Sequence, residues 1–185
     1  LFWGDKTPIY LGLMRDIHCL LPEAFFIHLI RDGRDSALSY RGLWFGPGDD
    51  LALHAKMWSE RIIEGRHQAK DLSDSYLEVR YETLVAEPEK VLKKICTAIG
   101  LEFDSSMLEY HVSAHARISQ LKARYSAEDS QFIEAKRIRN IFKLTSSPPD
   151  TSRMGRWRKE MTRDEQMIYE REAGHLLCEL GYETH

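Results

Sequence analysis

An arginine ends an apolar run and a turn follows it at once, a combination that suits the binding of phosphate. Residues 25–30 are typical of a buried strand, Arg31 ends it, and Gly33 begins a helix that carries Ser39. In open parallel sheets, ligands lie at the carboxyl ends of the strands, and the following helix offers free N–H groups. Arg31 adds a planar, permanently charged fork, and Ser39 adds a hydroxyl. The spacing predicts a phosphate pocket.

The elements that must position this pocket alternate between strands and helices. Gly100 is a typical C-cap, and Thr162 with Glu165 forms a capping box. The pattern predicts strands over residues 25–30 and 76–79 and helices over residues 7–21, 33–43, 51–72, 88–99, 104–140 and 162–180. Residues 145–152 are predicted to form an irregular loop. Alternation of strands and helices indicates an α/β fold with a parallel sheet.

Composition describes an ordinary globular protein. With 185 residues, 43% of them hydrophobic and 30% charged, the chain is predicted to form a single domain over residues 1–185. Its net charge of −3 argues against broad electrostatic binding of nucleic acid. No apolar run approaches the roughly 18 residues of a membrane helix, and the first residues lack a signal-peptide pattern. We therefore expect neither nucleic acid nor a membrane as a partner.

The three cysteines indicate a reducing compartment. Cys19, Cys96 and Cys178 are far apart, odd in number and set in apolar helical patterns. We predict that all three are buried free thiols. A cytoplasmic location is the corresponding expectation.

Four short motifs follow one another in chain order. They are Trp3-Gly4-Asp5-Lys6-Thr7-Pro8, the strand and helix with Arg31 and Ser39, Val79-Arg80-Tyr81-Glu82-Thr83-Leu84, and Met154-Gly155-Arg156-Trp157-Arg158. In this order they resemble the PAPS-dependent sulfotransferases, which move a sulfuryl group from 3′-phosphoadenosine 5′-phosphosulfate (PAPS) to a hydroxyl or amine. The resemblance covers nearly the whole chain.

The resemblance implies a fold and a set of site residues. The fold would be the three-layer, P-loop-like α/β arrangement, with a parallel sheet flanked by helices. Cofactor-binding roles would fall to Arg31, Ser39, Tyr81, Arg153, Gly155 and Arg156. The first two would bind the 3′-phosphate, the tyrosine would approach the adenine, and the last three would belong to a loop that closes over the nucleotide. Core positions are expected more often than cofactor contacts for Trp44, Trp58 and Trp157, and Trp157 has the best claim to a cofactor contact because of its motif.

One family feature is missing from the sequence. Sulfotransferases hold the 5′-phosphosulfate in a Gly-rich turn before the Lys-Thr motif, and no such turn occurs here. The segment Gly46-Pro47-Gly48 is followed by two aspartates, which would repel phosphate. We therefore expect the N-terminal strand, the phosphosulfate loop and the first helix to be absent. Loss of a central strand would leave an exposed sheet edge or an incomplete core.

Sulfuryl transfer needs a cation near the transferred group and a base for the acceptor. The resemblance assigns the cation to Lys6. The cytosolic branch has a histidine two residues after this lysine, where this chain has Pro8. Asp5 is the first candidate for the base. Two alternatives stand beside it: Asp5 acts as a structural partner of Lys6 or of the Thr7 cap, or the base is a carboxylate in the missing segment.

Other polar residues have structural interpretations. We expect the His28 ring to pack within its strand with a neighbour satisfying it, and His54 to lie on a helix surface whose core contacts are Leu53, Met57 and Ile62. Asp32 is predicted to cap the helix that follows it, and Arg34 to pair with Asp35. His111 and His115 have a spacing that can hold zinc, but no third ligand is evident, so no metal is expected.

The sequence thus predicts an enzyme, a PAPS-dependent sulfotransferase. The alternative is a non-catalytic nucleotide-binding or structural remnant of one. A kinase of related fold is disfavoured because no Gly-x-x-x-x-Gly-Lys-Ser/Thr motif occurs. The acceptor would be a small molecule, or a hydroxyl of a carbohydrate or peptide, bound by residues 44–60 and 104–150. Neither the acceptor nor the oligomeric state follows from the sequence.

Overall fold

The computed structural model describes residues 2–43, 46–125 and 132–185. Their contacts form two units. The first contains Leu1–Thr83 and Ser152–His185, and the second contains Leu84–Thr151. That residues 1–185 form a single domain stays a prediction. Trp44 lies outside the described residues.

The described residues contain strands, α-helices and short 3-10 helices. The strands are β1 (Phe26–Ile30), β2 (Tyr76–Arg80), β3 (Arg124–Tyr125) and β4 (Phe132–Ile133). The α-helices are α1 (Met14–Leu20), α2 (Gly33–Tyr40), α3 (Leu51–Ala69), α4 (Tyr81–Ala86), α5 (Pro88–Ile99), α6 (Tyr110–Ser119), α7 (Ala135–Ile141), α8 (Trp157–Glu160) and α9 (Arg163–Glu179). The 3-10 helices are Pro8–Gly12, Ser73–Ser75, Ser105–Glu109, Lys143–Ser146 and Thr151–Arg153.

The sheet of the first unit is small and parallel. β1 pairs with β2 from Phe26 opposite Tyr76 to Ile30 opposite Arg80, which confirms an α/β fold. Within the described ranges, no strand pairs with the other edge of β1. Ile27 is 45% exposed. The prediction of a buried strand is therefore wrong for the face that carries Ile27, and the edge of β1 away from β2 has no strand partner in the described part of the chain.

Helix α3 packs beside the sheet with a face different from the predicted one. Leu53, an expected core contact, is 45% exposed, while Ile62 is buried as predicted. His54, expected on the surface, is buried at 5% exposure. The reason is that the buried stripe includes Ala55, one helical position away from His54, and that Tyr169 of α9 offers the imidazole a hydroxyl partner.

Gly33 allows α2 to approach its neighbours closely. A Cβ atom at this position would lie 2.3 Å from Tyr169 Oη and 2.7 Å from the Trp58 ring, so any other side chain would force a shift. The core here consists of Ala37, Leu38, Ala55, Trp157, Met161, Tyr169, Ala173 and Leu177. The absence of a side chain at Gly33 therefore sets the position of the helix that follows Arg31.

The helix boundaries are partly as predicted. α5 ends at Gly100, with φ of 71°, and α9 begins with the predicted capping box of Thr162 and Glu165. The helix predicted over residues 7–21 is instead a 3-10 helix followed by α1, because Leu13 leaves helical geometry at φ −124° and ψ 13°.

The second unit departs furthest from the sequence pattern. The helix predicted over residues 104–140 is broken into a 3-10 helix, α6 and α7, and β3 pairs antiparallel with β4 between them. The weak periodicity of this stretch is consistent with such a break. The predicted loop over residues 145–152 contains parts of two 3-10 helices.

Two further observations concern the whole described chain. Cys96 is a buried free thiol as predicted, but Cys19 and Cys178 are exposed, so the cysteine prediction is wrong for those two. Both lie on the outward faces of their helices, where thiols need no apolar partner. No helix in the described ranges has the length and apolar character needed to cross a membrane.

Candidate anion-binding site

Arg31 follows β1 directly and is surrounded by residues that the sequence placed with it. Its Nη1 donates to Ser39 Oγ at 3.2 Å, and its Nη2 donates to the carbonyl of Arg153 at 3.0 Å. The guanidinium lies 4.6 Å from the centroid of the Tyr81 ring. The buried Nε has no hydrogen-bond partner among the described residues. The arrangement leaves a charged donor unsatisfied, which is costly unless an acceptor binds there.

Neighbouring elements hold the arginine in place. Trp58 Nε1 of α3 donates to the carbonyl of Arg31 at 3.1 Å, and the Ser39 hydroxyl also donates to the Asp35 carbonyl at 3.0 Å. Asp32 caps α2 as predicted by accepting from Arg34 N at 2.9 Å. The Asp32 N–H donates in turn to Glu82 Oε1 at 2.9 Å. The carboxyl ends of β1 and β2 are thereby tied together at the site.

A buried carboxylate connects α2 to the Gly-Arg-Trp segment. Asp35 is fully buried, and its Oδ2 accepts from Gly155 N at 2.6 Å while its Oδ1 accepts from Trp157 N at 3.0 Å. Burial raises the pKa of Asp35, and the two N–H donors oppose this rise. This contact was not predicted from the sequence, because the partners lie 120 and 122 residues away.

Arg34 does not pair with Asp35, and that prediction is wrong. It is fully buried and binds Asp32 with two nitrogens, Nε at 3.1 Å and Nη2 at 2.9 Å. Its Nη1 binds Glu170 at 2.9 Å. The guanidinium also lies 3.5 Å from the centroid of the Trp157 ring. Trp157 is 1% exposed, so it belongs to the core and not to a surface that a cofactor can reach.

Arg156 is partly committed to a neighbour. Its Nε and Nη2 each bind a carboxylate oxygen of Glu160 at 2.7 Å, and the pKa of Glu160 is lowered by this contact. Its Nη1 is buried without a partner in the described part of the chain. Arg156 thus keeps one donor for an additional acceptor, in the same segment as the Arg153 carbonyl that contacts Arg31.

A cavity of about 480 Å³ extends from Arg31 along the free edge of β1. Lys6 and Asp5 lie on its wall, and both are exposed. Asp5 accepts from the Thr7 hydroxyl at 2.9 Å, which lowers the pKa of Asp5. The two predicted catalytic residues thus line the same cavity as Arg31. It also supplies the contact with Thr7 that the structural interpretation of Asp5 anticipated.

Two histidines line the same cavity. His28 is buried with its Nδ1 2.6 Å from Tyr76 Oη, which confirms that a neighbour satisfies its ring. His54 Nδ1 lies 3.2 Å from Tyr169 Oη, and its Nε2 lies 3.5 Å from Ser36 Oγ. Burial lowers the pKa of His54 to about 4, so its imidazole is neutral near pH 7. The pairing of Ser36 with His54 was not evident from the sequence.

No group of three or more His, Cys, Asp or Glu side chains within residues 2–43, 46–125 and 132–185 is placed to hold a metal ion.

Comparison with known proteins identifies related sequences. A family model described as "Sulfotransferase family" matches residues 1–105, which include Arg31, Ser39 and Tyr81. Protein-tyrosine sulfotransferase 1 of Danio rerio is 24% identical over 188 residues, covering 98% of this chain and 48% of the relative. Nodulation protein NoeE of Sinorhizobium fredii is 23% identical over 200 residues, covering 97% of this chain and 44% of the relative. The chain spans less than half the length of these relatives.

Proposed function

The chain belongs to the sulfotransferase family, and from that premise we propose that it binds PAPS and serves transfer of the sulfuryl group to an acceptor hydroxyl or amine. The observation that carries this proposal is the Arg31 site. The Arg31 guanidinium lies between a serine hydroxyl and a tyrosine ring, and its buried Nε has no partner among the described residues. This arrangement suits the binding of a phosphate with an adenine beside it.

Each part of the nucleotide has a group to receive it. Arg31 and Ser39 bind the 3′-phosphate, and Tyr81 lies beside the adenine. Arg153 and Arg156 approach the phosphates from the segment that Gly155 turns toward α2. Support for this assignment comes from the contact of Arg31 with the Arg153 carbonyl and from the unsatisfied Nη1 of Arg156.

Lys6 supplies positive charge to the transferred group. In sulfuryl transfer, as in phosphoryl transfer, charge spreads over the peripheral oxygens, so positioned cations lower the barrier. The place of Lys6 on the wall of the cavity that Arg31 also lines supports this role. Asp5 remains the candidate base on this chain. Its lowered pKa keeps it ionised near pH 7, but this also makes it a weaker proton acceptor.

The complete three-layer fold is part of the same proposal. A strand along the free edge of β1 would extend the two-stranded sheet, and a helix packed on the face that carries Ile27 and Leu29 would cover these side chains, which are 45% and 49% exposed. In sulfotransferases the phosphosulfate loop follows such a strand. The arginine site described here would then bind the nucleotide end of PAPS, and the additional loop would bind the phosphosulfate.

The acceptor is proposed from the relatives. One of them is named a protein-tyrosine sulfotransferase, so a tyrosine hydroxyl in a peptide is the first acceptor to test. Small-molecule hydroxyls and carbohydrate hydroxyls are the second class.

Calorimetric titration with 3′-phosphoadenosine 5′-phosphate tests the nucleotide site. Arg31→Ala is expected to weaken binding about 10- to 150-fold, because a charge-assisted contact is worth roughly 1.5–3 kcal/mol. Arg171→Ala is the matched control, since Arg171 is exposed and pairs only with Glu172 among the described residues. Equal affinities of wild type and Arg31→Ala would contradict the proposal.

Transfer of labelled sulfate from PAPS to a tyrosine peptide separates the enzyme from its alternative. Binding of the nucleotide together with transfer supports the sulfotransferase. Binding without transfer to any acceptor or to water supports a non-catalytic nucleotide-binding protein.

A further inference from the structure

Asp35 presents an unusual combination of burial, charge and location. It is a fully buried carboxylate on α2, the helix that also carries Ser39 of the anion site. The adjacent Arg34 is committed to Asp32 and Glu170, so it does not neutralise Asp35. A buried acidic group beside a site for an anion opposes binding unless it serves another purpose.

The contacts of Asp35 indicate that purpose. Its two oxygens accept the N–H groups of Gly155 and Trp157 at 2.6 Å and 3.0 Å. These residues flank Arg156 and follow Arg153, the two arginines proposed to approach the nucleotide phosphates. Hydrogen bonds to a charged acceptor are about twice as strong as neutral ones, which suits a contact that must fix a backbone segment.

The segment itself is shaped for this contact. Gly155 has φ of 69°, a left-handed backbone conformation that residues with a Cβ rarely adopt, so a side chain at this position is disfavoured. The Arg31 Nη2 contact with the Arg153 carbonyl binds the other end of the segment. The segment is therefore held on both sides of the position where the phosphate-binding side chains emerge.

We propose that Asp35 is a positioning residue of the anion site, which holds residues 153–157 so that Arg153 and Arg156 face the phosphates bound at Arg31. The inference rests on the proposed function, because it assigns a purpose to a segment that binds nucleotide phosphates. It adds a residue that does not itself contact the ligand.

The variant Asp35→Asn tests the hydrogen bonds at nearly constant shape, because an amide replaces one acceptor oxygen with a donor. Asp50→Asn is the matched control: Asp50 accepts from Leu53 N at the start of α3, and the change is chemically identical. Two quantities are measured, the Kd for 3′-phosphoadenosine 5′-phosphate and the hydrogen exchange of the amides of Gly155 and Trp157.

In Asp35→Asn we expect the two amides to exchange at least tenfold faster and Kd to rise at least tenfold, with neither changed in Asp50→Asn. Faster exchange with Kd within twofold of wild type would show a merely structural role and overturn the inference. A raised Kd with unchanged exchange would overturn it too, because the effect would not pass through the segment.

The variant Gly155→Ala tests the same contact through the residue that donates its N–H to Asp35. It is the test to use if Asp35→Asn does not fold. It is expected to raise Kd at least tenfold, and an unchanged Kd would contradict the inference. If the wild-type chain does not bind the nucleotide at all, the proposed function fails and the inference falls with it. Binding by wild type that is unaltered in both variants would contradict the inference alone.

Discussion

Two arginines three residues apart define two regions that use the same side chain in opposite ways. Carboxylates of the protein neutralise the charge of Arg34: Asp32 and Glu170 bind the guanidinium, and the Trp157 ring covers it. Around Arg31, the partners are one hydroxyl, one carbonyl and one ring, and the buried Nε has no partner among the described residues. We call these the closed region and the open region.

Under the proposed function, Arg34 contributes to the stability of the fold and Arg31 to the binding of the nucleotide. In the closed region charge is neutralised internally, so its energy contributes to the folded state. In the open region the guanidinium keeps a buried Nε without a partner among the described residues, so under the proposed function its charge contributes to binding. Trp157 connects the closed region to the helix that follows Arg31. Its ring packs against the Arg34 guanidinium, and its backbone N–H donates to Asp35 of α2.

The largest expected effect comes from opening the closed region. Arg34→Met leaves the carboxylates of Asp32 and Glu170 without their partner, and we expect a loss of about 3–5 kcal/mol in the free energy of unfolding. Urea denaturation followed by tryptophan fluorescence measures it. Arg31→Ala is the comparison, with an expected loss of about 1 kcal/mol. Similar losses in the two variants would remove the distinction between the regions.

Acid should destabilise the core beside the closed region through His54. Its pKa is about 4 in the folded protein and 6.5 in the unfolded chain, so below pH 6.5 the unfolded chain binds the proton more readily. This contribution to stability is complete above pH 6.5 and is lost as the pH falls to 4. The loss is about 3 kcal/mol, at 1.36 kcal/mol per pKa unit.

Denaturation midpoints between pH 4 and pH 7.5 measure this effect in wild type and His54→Gln. The variant should show a shallower fall in stability with acid. His28→Gln is a comparison variant: burial also lowers the pKa of His28, so this variant should lose the contribution of His28 and keep that of His54. Identical pH profiles for wild type and His54→Gln would contradict the account.

A smaller effect is expected at the glycine between the two regions. Gly33→Ala places a Cβ against Tyr169 Oη and the Trp58 ring, and we expect a loss of about 1–3 kcal/mol from overpacking. Gly174→Ala is the control: its Cβ would meet nothing closer than 3.8 Å within helix α9, so a gain of about 0.5–1 kcal/mol is expected. Thermal unfolding of both variants measures the difference, and equal shifts would argue against a close approach at Gly33.

What the sequence could predict in these regions depends on how far apart the interacting residues are. The strand, the turn and the helix with Arg31 and Ser39 are contiguous, and local periodicity with capping was enough to find them. Asp35 and His54 were misjudged because their partners, Gly155 and Tyr169, lie more than 100 residues away. No local pattern shows that a distant N–H or hydroxyl will reach a buried polar group.

The second unit shows the same limit for backbone structure. The antiparallel pair of β3 and β4 interrupts a stretch whose pattern predicted helix, and cross-strand pairing depends on contacts that periodicity does not encode. The buried face of α3 differs from the predicted one by one helical position, for a related reason. Burial of an imidazole there depends on the hydroxyl of Tyr169, which comes from another helix.

The central claim is that the open region binds a 3′-phosphate. The most direct test compares the affinities of 3′-phosphoadenosine 5′-phosphate and adenosine 5′-phosphate in wild type and Arg31→Ala. We predict that the 3′-phosphate strengthens binding at least tenfold in wild type and that this advantage disappears in the variant. An advantage that persists in Arg31→Ala would place the phosphate elsewhere and contradict the account.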